Sequence, residues 1–147
     1  MRRKNLSGAA CPIARSLDVI GDWWSLLIVR DALKGTTRFG DFQKSLGVSK
    51  NILTRRLRTL VEQGVLEQLP ATDGSAYQEY RLTEKGRGLF KVLVALGQWG
   101  LESLADTAPV RMALVDRTHR QPVRALEVRA ADGRLLEPGQ TMMVRAS

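Results

Sequence analysis

Between Ser49 and Leu66 the chain reads SKNILTRRLRTLVEQGVL, and its leucines recur at helical spacing. Leu53, Leu57 and Leu60 share one side of a 3.6-residue wheel, while Lys50, Asn51, Thr54, Arg55 and Arg58 spread over roughly 140° of the other. Ser49 supplies a side-chain acceptor for an N-cap, and Gly64 supplies a stop. The pattern predicts a helix fixed to a core by leucines, with a polar and basic face turned outward. In isolation that face reads equally well as plain solvated surface.

The neighbouring stretches decide between those readings. Cys11-Pro12 followed by Ile13, Ala14, Leu17 and Ile20 predicts a short helix with proline in its first turn, closed by Gly21. Asp22 is placed to cap a second helix, WWSLLIVRDALKG, that ends at Gly35. TTRFGDFQKSLG predicts a third, with Phe39, Phe42 and Leu46 inward, and Gly47-Val48-Ser49 forms a tight turn before the basic helix. VLEQL and YQEYRL predict two strands joined by PATDGSA, where Asp73-Gly74 is the turn signal. Thr83-Glu84-Lys85-Gly86 opens a fifth helix expected to run to about Leu104. Its apolar residues, Phe90, Leu96 and Trp99 among them, cover nearly the whole circumference, so burial in a subunit interface is expected. After Asp106, VRMALVD and PVRALEVRA alternate and Asp132-Gly133 gives another turn, which predicts a small β-rich appendage over residues 110–145.

Composition narrows the class. A chain of 147 residues that is 44% hydrophobic and 26% charged has the make-up of a single folded domain. The net charge is +8, and between Lys34 and Arg58 there are seven basic residues and one acid, Asp41. Such a stripe suits phosphate or another anionic surface. One cysteine, Cys11, and one histidine, His119, allow neither an intrachain disulfide nor a Cys/His metal cluster, so no metal and no cofactor are expected. The basic start MRRKN lacks the apolar segment of a signal peptide, and Trp23 to Val29 is too short to span a bilayer. A cytoplasmic protein without a membrane partner is the expectation.

Three helices, a hairpin and a closing helix are the layout of a winged helix-turn-helix: α+β, mainly α, with a long C-terminal dimerisation helix and a small β-rich C-terminal appendage. The expected organisation is a basic arm over 1–10, a DNA-binding and dimerisation domain over 11–105, and an extension over 106–147. In this layout the third helix crosses the DNA backbone and the fourth enters the major groove, whose width of about 12 Å admits one helix. Arg and Asn read guanine and adenine edges there, and Lys and Thr reach phosphate or a base edge. The candidate DNA contacts are therefore Arg38, Ser49, Lys50, Asn51, Thr54, Arg55 and Arg58.

CPIARSLDVIGDWWSLLIVRDALKGTTRFGDFQKSLGVSKNILTRRLRTLVEQGVL, followed by EYRLTEKGRGL and LGQWG, resembles the HxlR-type transcriptional regulators over about residues 11 to 102. The motifs that carry the resemblance are Cys11-Pro12, the Trp24-to-Leu33 helix, Arg38-Phe39, Leu53-Thr54-x-Arg56-Leu57 and Tyr80-x-Leu82-Thr83-x-x-Gly86. It implies a homodimeric regulator, a repressor or an activator, on a pseudo-palindromic double-stranded operator, with the first and last helices forming the dimer contact. It also implies that a cysteine at the place of Cys11 reacts with oxidants or electrophiles and links protomers. The wing tip departs from the usual pattern, because PATDGSAYQ carries Asp73 and no basic residue. Weak contacts through Thr72, Ser75 or Gln78 are expected there. Some longer relatives carry a zinc-ribbon-like extension; residues 110–145 contain no cysteine, so zinc is not expected.

Several residues carry two readings. Cys11 stands before Pro12 at a helix start, where the helix dipole favours a thiolate and Arg15 is one turn on; the plainer reading is a half-buried packing residue. Trp23 and Trp24 point in different directions, one to the core and the other to an effector pocket shared with Phe90 or Trp99, if not to ordinary packing. Arg2, Arg3 and Lys4 form either a DNA-reaching arm or a solubilising tail, and His119 is a surface side chain. No nucleophile, base and orienting group come together, so an enzyme is not expected. The rival is a winged helix that binds RNA or a protein; the bare basic face from Lys50 to Arg58 favours duplex DNA over a protein, which would call for apolar anchors.

Overall fold

The computed structural model describes residues 4–104, 106, 109 and 112–146, and the Arg2–Arg3 arm lies outside them. The chain forms two compact units, residues 1–93 and 94–147.

In the first unit the helices are α1 (Pro12–Ile20), α2 (Trp23–Leu33), α3 (Phe39–Leu46) and α4 (Lys50–Glu62). Strands β1 (Leu66–Pro70) and β2 (Gln78–Leu82) follow, and then a single turn of helix, α5 (Glu84–Arg87). Three of the expected boundaries have their caps. Asp22 accepts from the amides of Trp24 and Ser25, Ser49 accepts from Ile52, and Gly47 ends α3 with φ +63°. β1 and β2 pair antiparallel, with Leu66 opposite Leu82 and Pro70 opposite Gln78. Thr37 and Arg38 lie along the free edge of β2: the Tyr80 amide donates to the Thr37 carbonyl at 2.7 Å, and Arg38 bridges to Glu79.

Ile28 and Val29 of α2, Phe42 of α3, and Leu53, Leu57 and Leu60 of α4 close the core with Val48, Val65 and Leu66. Burial of each large side chain stabilises the fold by about 1.5–3 kcal/mol, so α4 is held by one face alone. Of the two tryptophans, Trp24 packs on the core, whereas Trp23 is 86% exposed.

The expected fifth helix is broken. α5 stops at Arg87, and α6 (Phe90–Ser103) starts after Gly88 and Leu89. Two glycines explain the break. Gly86 is buried so closely that a Cβ there would stand 2.1 Å from the Val65 carbonyl oxygen, and Gly88 caps α5. Thr83 locks this corner, donating its hydroxyl to the Gly64 carbonyl at 2.5 Å and accepting from the Gly86 amide. α6 has no buried residue, and Phe90, Leu96 and Trp99 are exposed.

The β-rich appendage is also corrected. Among the described residues after Asp106 there is no regular strand, only the isolated antiparallel bridges Val115–Pro122 and Arg129–Leu135 and one 3-10 turn, Pro138–Gln140. The alternation was real, but no described residue of the second unit is buried, so no apolar face is available to fix a register. Polar side chains hold the turns instead. Asp116 accepts from the amides of Thr118 and His119, and Asp132 from that of Arg134. Gln98 of α6 bonds the Arg124 carbonyl and the Leu126 amide as a neighbouring strand would.

Candidate nucleic-acid interface

The outward face of α4 carries Lys50, Asn51, Thr54, Arg55 and Arg58, all exposed, directly opposite buried Leu53, Leu57 and Leu60. Among the described residues, the side chains of Lys50, Asn51, Arg55 and Arg58 have no hydrogen-bond or ion-pair partner, so three cationic groups and an amide face solvent together. Thr54 differs: its hydroxyl donates to the Lys50 carbonyl at 2.8 Å, which leaves its methyl group and oxygen lone pairs for a ligand. The Ser49 hydroxyl is occupied as the cap of α4, accepting from the Ile52 amide at 3.3 Å.

The helix's remaining arginine turns inward. Arg56 Nε lies 3.6 Å from Asp22 Oδ1, at the start of α2. Burial pushes the Asp22 carboxyl up, but hydrogen bonds from the Ser25 hydroxyl and from the Ser25 and Trp24 amides, with the Arg56 charge, outweigh it and hold the group below the usual carboxylate range. One acid thus caps α2 and orients α4. Asp31, fully buried, ties α2 to α3, accepting from the Ser45 hydroxyl at 2.6 Å and from its neighbour Arg30 Nε at 2.9 Å. Nothing in the spacing of these acids distinguished them from surface caps.

At the wing, Arg38 is committed. Its guanidinium donates to the Asp73 carboxylate and lies 5.4 Å from the centre of the Tyr77 ring. The Ser75 amide, donating to Asp73 Oδ1 at 2.9 Å, and after it Arg38 hold the Asp73 carboxyl down at about 2. The same contact raises Arg38 above its ordinary value. The wing residues expected to face a partner are partly engaged as well, since the Thr72 amide and hydroxyl both point to the Glu79 carboxylate. Glu79 is 4% exposed and lies 2.8 Å from Arg81, whose hydrogen bond keeps its carboxyl ionised below the usual range. A glutamate inside a wing strand gave no signal in the sequence.

One further expectation changes. Arg15 does not serve Cys11; its Nε donates to the Ala9 carbonyl at 2.6 Å, and Cys11 stands half-buried at the N-cap of α1. A shallow cavity of about 230 Å³ is lined by Arg15, Ser16, Val19, Ile20, Val65, Lys85 and Leu89. Trp23, Trp24, Phe90 and Trp99 are not among its lining residues. Among the described residues no group of His, Cys, Asp and Glu could hold a metal, and no helix is long and apolar enough to cross a membrane.

A helix core, a basic helix seated after a left-handed glycine turn, and a two-stranded hairpin edged by the start of α3 define a winged helix-turn-helix protein. The sequence model of the HxlR-like helix-turn-helix family matches residues 19–108, and the chain belongs to that family. The chain is 45% identical over 92 residues to Rv3095 of Mycobacterium tuberculosis, an uncharacterised HTH-type transcriptional regulator. That match takes in 63% of this chain and 58% of the relative, so the chain spans under two thirds of the relative's length. Among solved structures, PA1607, a candidate transcription factor, is 55% identical with a TM-score of 0.92 over 97% of this chain and 100% of its own. The redox regulator HypR in its oxidised form is 30% identical with a TM-score of 0.57, over 63% of this chain and 97% of its own.

Proposed function

We propose that the protein is a cytoplasmic, non-catalytic, sequence-specific DNA-binding transcriptional regulator that acts as a homodimer and represses by occluding a promoter. The observation that carries this reading is the face of α4, where Lys50, Asn51, Arg55 and Arg58 are exposed and unpartnered opposite the buried leucines. Asn51 and Arg58 read base edges, Lys50 and Arg55 hold phosphates, Thr54 offers its methyl to a thymine, and Ser49 and Arg38 flank the groove. The names given to these relatives, an HTH-type transcriptional regulator, a candidate transcription factor and a redox regulator, support the same reading. Support for the dimer comes from exposed Ile13 and Leu17 on α1 and from exposed Phe90, Leu96 and Trp99 on α6, a helix with no fully buried residue within one chain. In the proposed organisation, residues 1–10 are an arm, 11–105 bind DNA and dimerise, and 106–147 are an extension. Two copies of α4 then meet half-sites about 34–36 Å apart, or a multiple of that.

The test is a titration of the purified protein onto duplexes flanking its own gene, against random duplex and RNA competitors, at two salt concentrations. Tight, salt-sensitive binding that resists the competitors is expected. Equal binding to random duplex, or preference for RNA, would remove the operator reading.

A second proposal concerns Cys11. Its half-buried place at an N-cap and the likeness to a named redox regulator favour a thiol that answers oxidants or electrophiles by adduct or interprotomer bond. Diamide treatment should yield a Cys11-dependent species on a non-reducing gel together with altered DNA affinity. If neither changes, Cys11 is only a packing residue.

A further inference from the structure

We propose that Asp73 is a built-in substitute for a DNA phosphate, holding Arg38 in the free protein so that the wing engages DNA only by exchanging one anion for the other. The inference rests on the DNA-binding reading and concerns how tightly sequence-independent contacts are held in check.

Three observations converge on it. The wing loop has no basic residue of its own, so the one guanidinium at its tip is borrowed from the start of α3, 35 positions earlier in the chain. That guanidinium is pre-aimed: its backbone is fixed along β2 by the Arg38–Glu79 bridge, and the Tyr77 ring backs it. The carboxylate is pre-aimed as well, because the Ser75 amide donates to Asp73 Oδ1 at 2.9 Å while Oδ2 takes Arg38. The pair is nonetheless solvent-exposed, with the Arg38 side chain 35% and the Asp73 side chain 52% accessible. Exposed ion pairs add little to stability, so a need to hold the fold does not account for this arrangement. What the pair does change is the charge offered to a polyanion. A free arginine at this place would capture a phosphate of any sequence and release counterions; a paired one gives up a carboxylate for the phosphate, and the exchange is nearly salt-neutral. Recognition is left to α4, whose cations carry no such partner.

The experiment is a double-mutant cycle with Asp73→Asn and Arg38→Gln, reading affinity for random duplex across a salt series, with unfolding curves confirming that each variant is folded. Asparagine keeps the Oδ1 acceptor for the Ser75 amide, so the turn is retained. The expected result is that Asp73→Asn tightens random-duplex binding by up to about fivefold and steepens the salt dependence by about 0.9 of a log unit per log unit of salt. In the Arg38→Gln background both gains should disappear. An equal gain in that background would mean that Asp73 acts by simple repulsion, and no gain in either background would make the pair structural; both results overturn the proposal while leaving the DNA reading intact. If the wild-type protein and all three variants fail to bind duplex above background, the DNA reading fails and the proposal falls with it.

Discussion

Helix α4 and the wing are opposite solutions to the placing of cations. On α4, Lys50, Arg55 and Arg58 stand exposed with no acid among the described residues to pair them, and the leucines behind them set their direction. At the wing tip, Arg38 is aimed by backbone pairing and ring contact but neutralised by Asp73. The difference teaches that net positive charge is a poor guide to where affinity resides. Of the seven basic residues between Lys34 and Arg58, Arg38 and Arg56 are each paired with an acid, whereas Lys50, Arg55 and Arg58 stand together on one face of α4.

The strongest way to break this contrast is to unseat α4. Leu57→Ala should lower stability by about 2–5 kcal/mol through the cavity it leaves, measured by urea unfolding, with DNA binding lost in proportion to the unfolded fraction. On the wing side the matching anchor is Gly86. Gly86→Ala should cost about 1–3 kcal/mol, because its Cβ meets the Val65 carbonyl where β1 begins; an unchanged midpoint would mean that the corner yields freely. Arg58→Ala or Asn51→Ala should cost about 1–3 kcal/mol on the cognate site and much less on random duplex. Equal losses on both would mark phosphate contacts, the behaviour expected of Lys50→Ala. Arg56→Ala removes only the half-exposed pair with Asp22 and should change stability by no more than about 1 kcal/mol, with sequence preference unaltered.

The smallest effect sharpens the comparison through pH. The Asp73 carboxyl lies at about 2 in the folded protein against an ordinary 3.8, so its stabilising contacts are complete above 3.8 and are lost as pH falls toward 2. Carboxyl NMR should place the Asp73 titration there and move it upward in Arg38→Gln, though not fully to 3.8, since the Ser75 amide hydrogen bond remains. A titration that Arg38→Gln leaves in place would mean that Arg38 does not face Asp73 in solution.

The wing domain was legible in the sequence because short-range chemistry decides it. Asp22, Ser49 and Thr83 cap the helices they precede, and the 3.6-residue leucine spacing alone divides α4 into its two faces. That determines a winged helix-turn-helix with a bare basic face. Local pattern gave no warning where the deciding contact lies far along the chain. Gly86 reads as a helix residue until the Val65 carbonyl is placed beneath it, and Asp73 reads as a turn acid until Arg38 reaches it. The alternation after Asp106 predicts strands, but a strand needs a buried face to fix its register, and that unit provides none. Residue spacing along the chain sets which side chains α4 turns to solvent. Only the tertiary structure decided which of the other cations were free to join them, because ion pairing depends on distance in space and not along the chain.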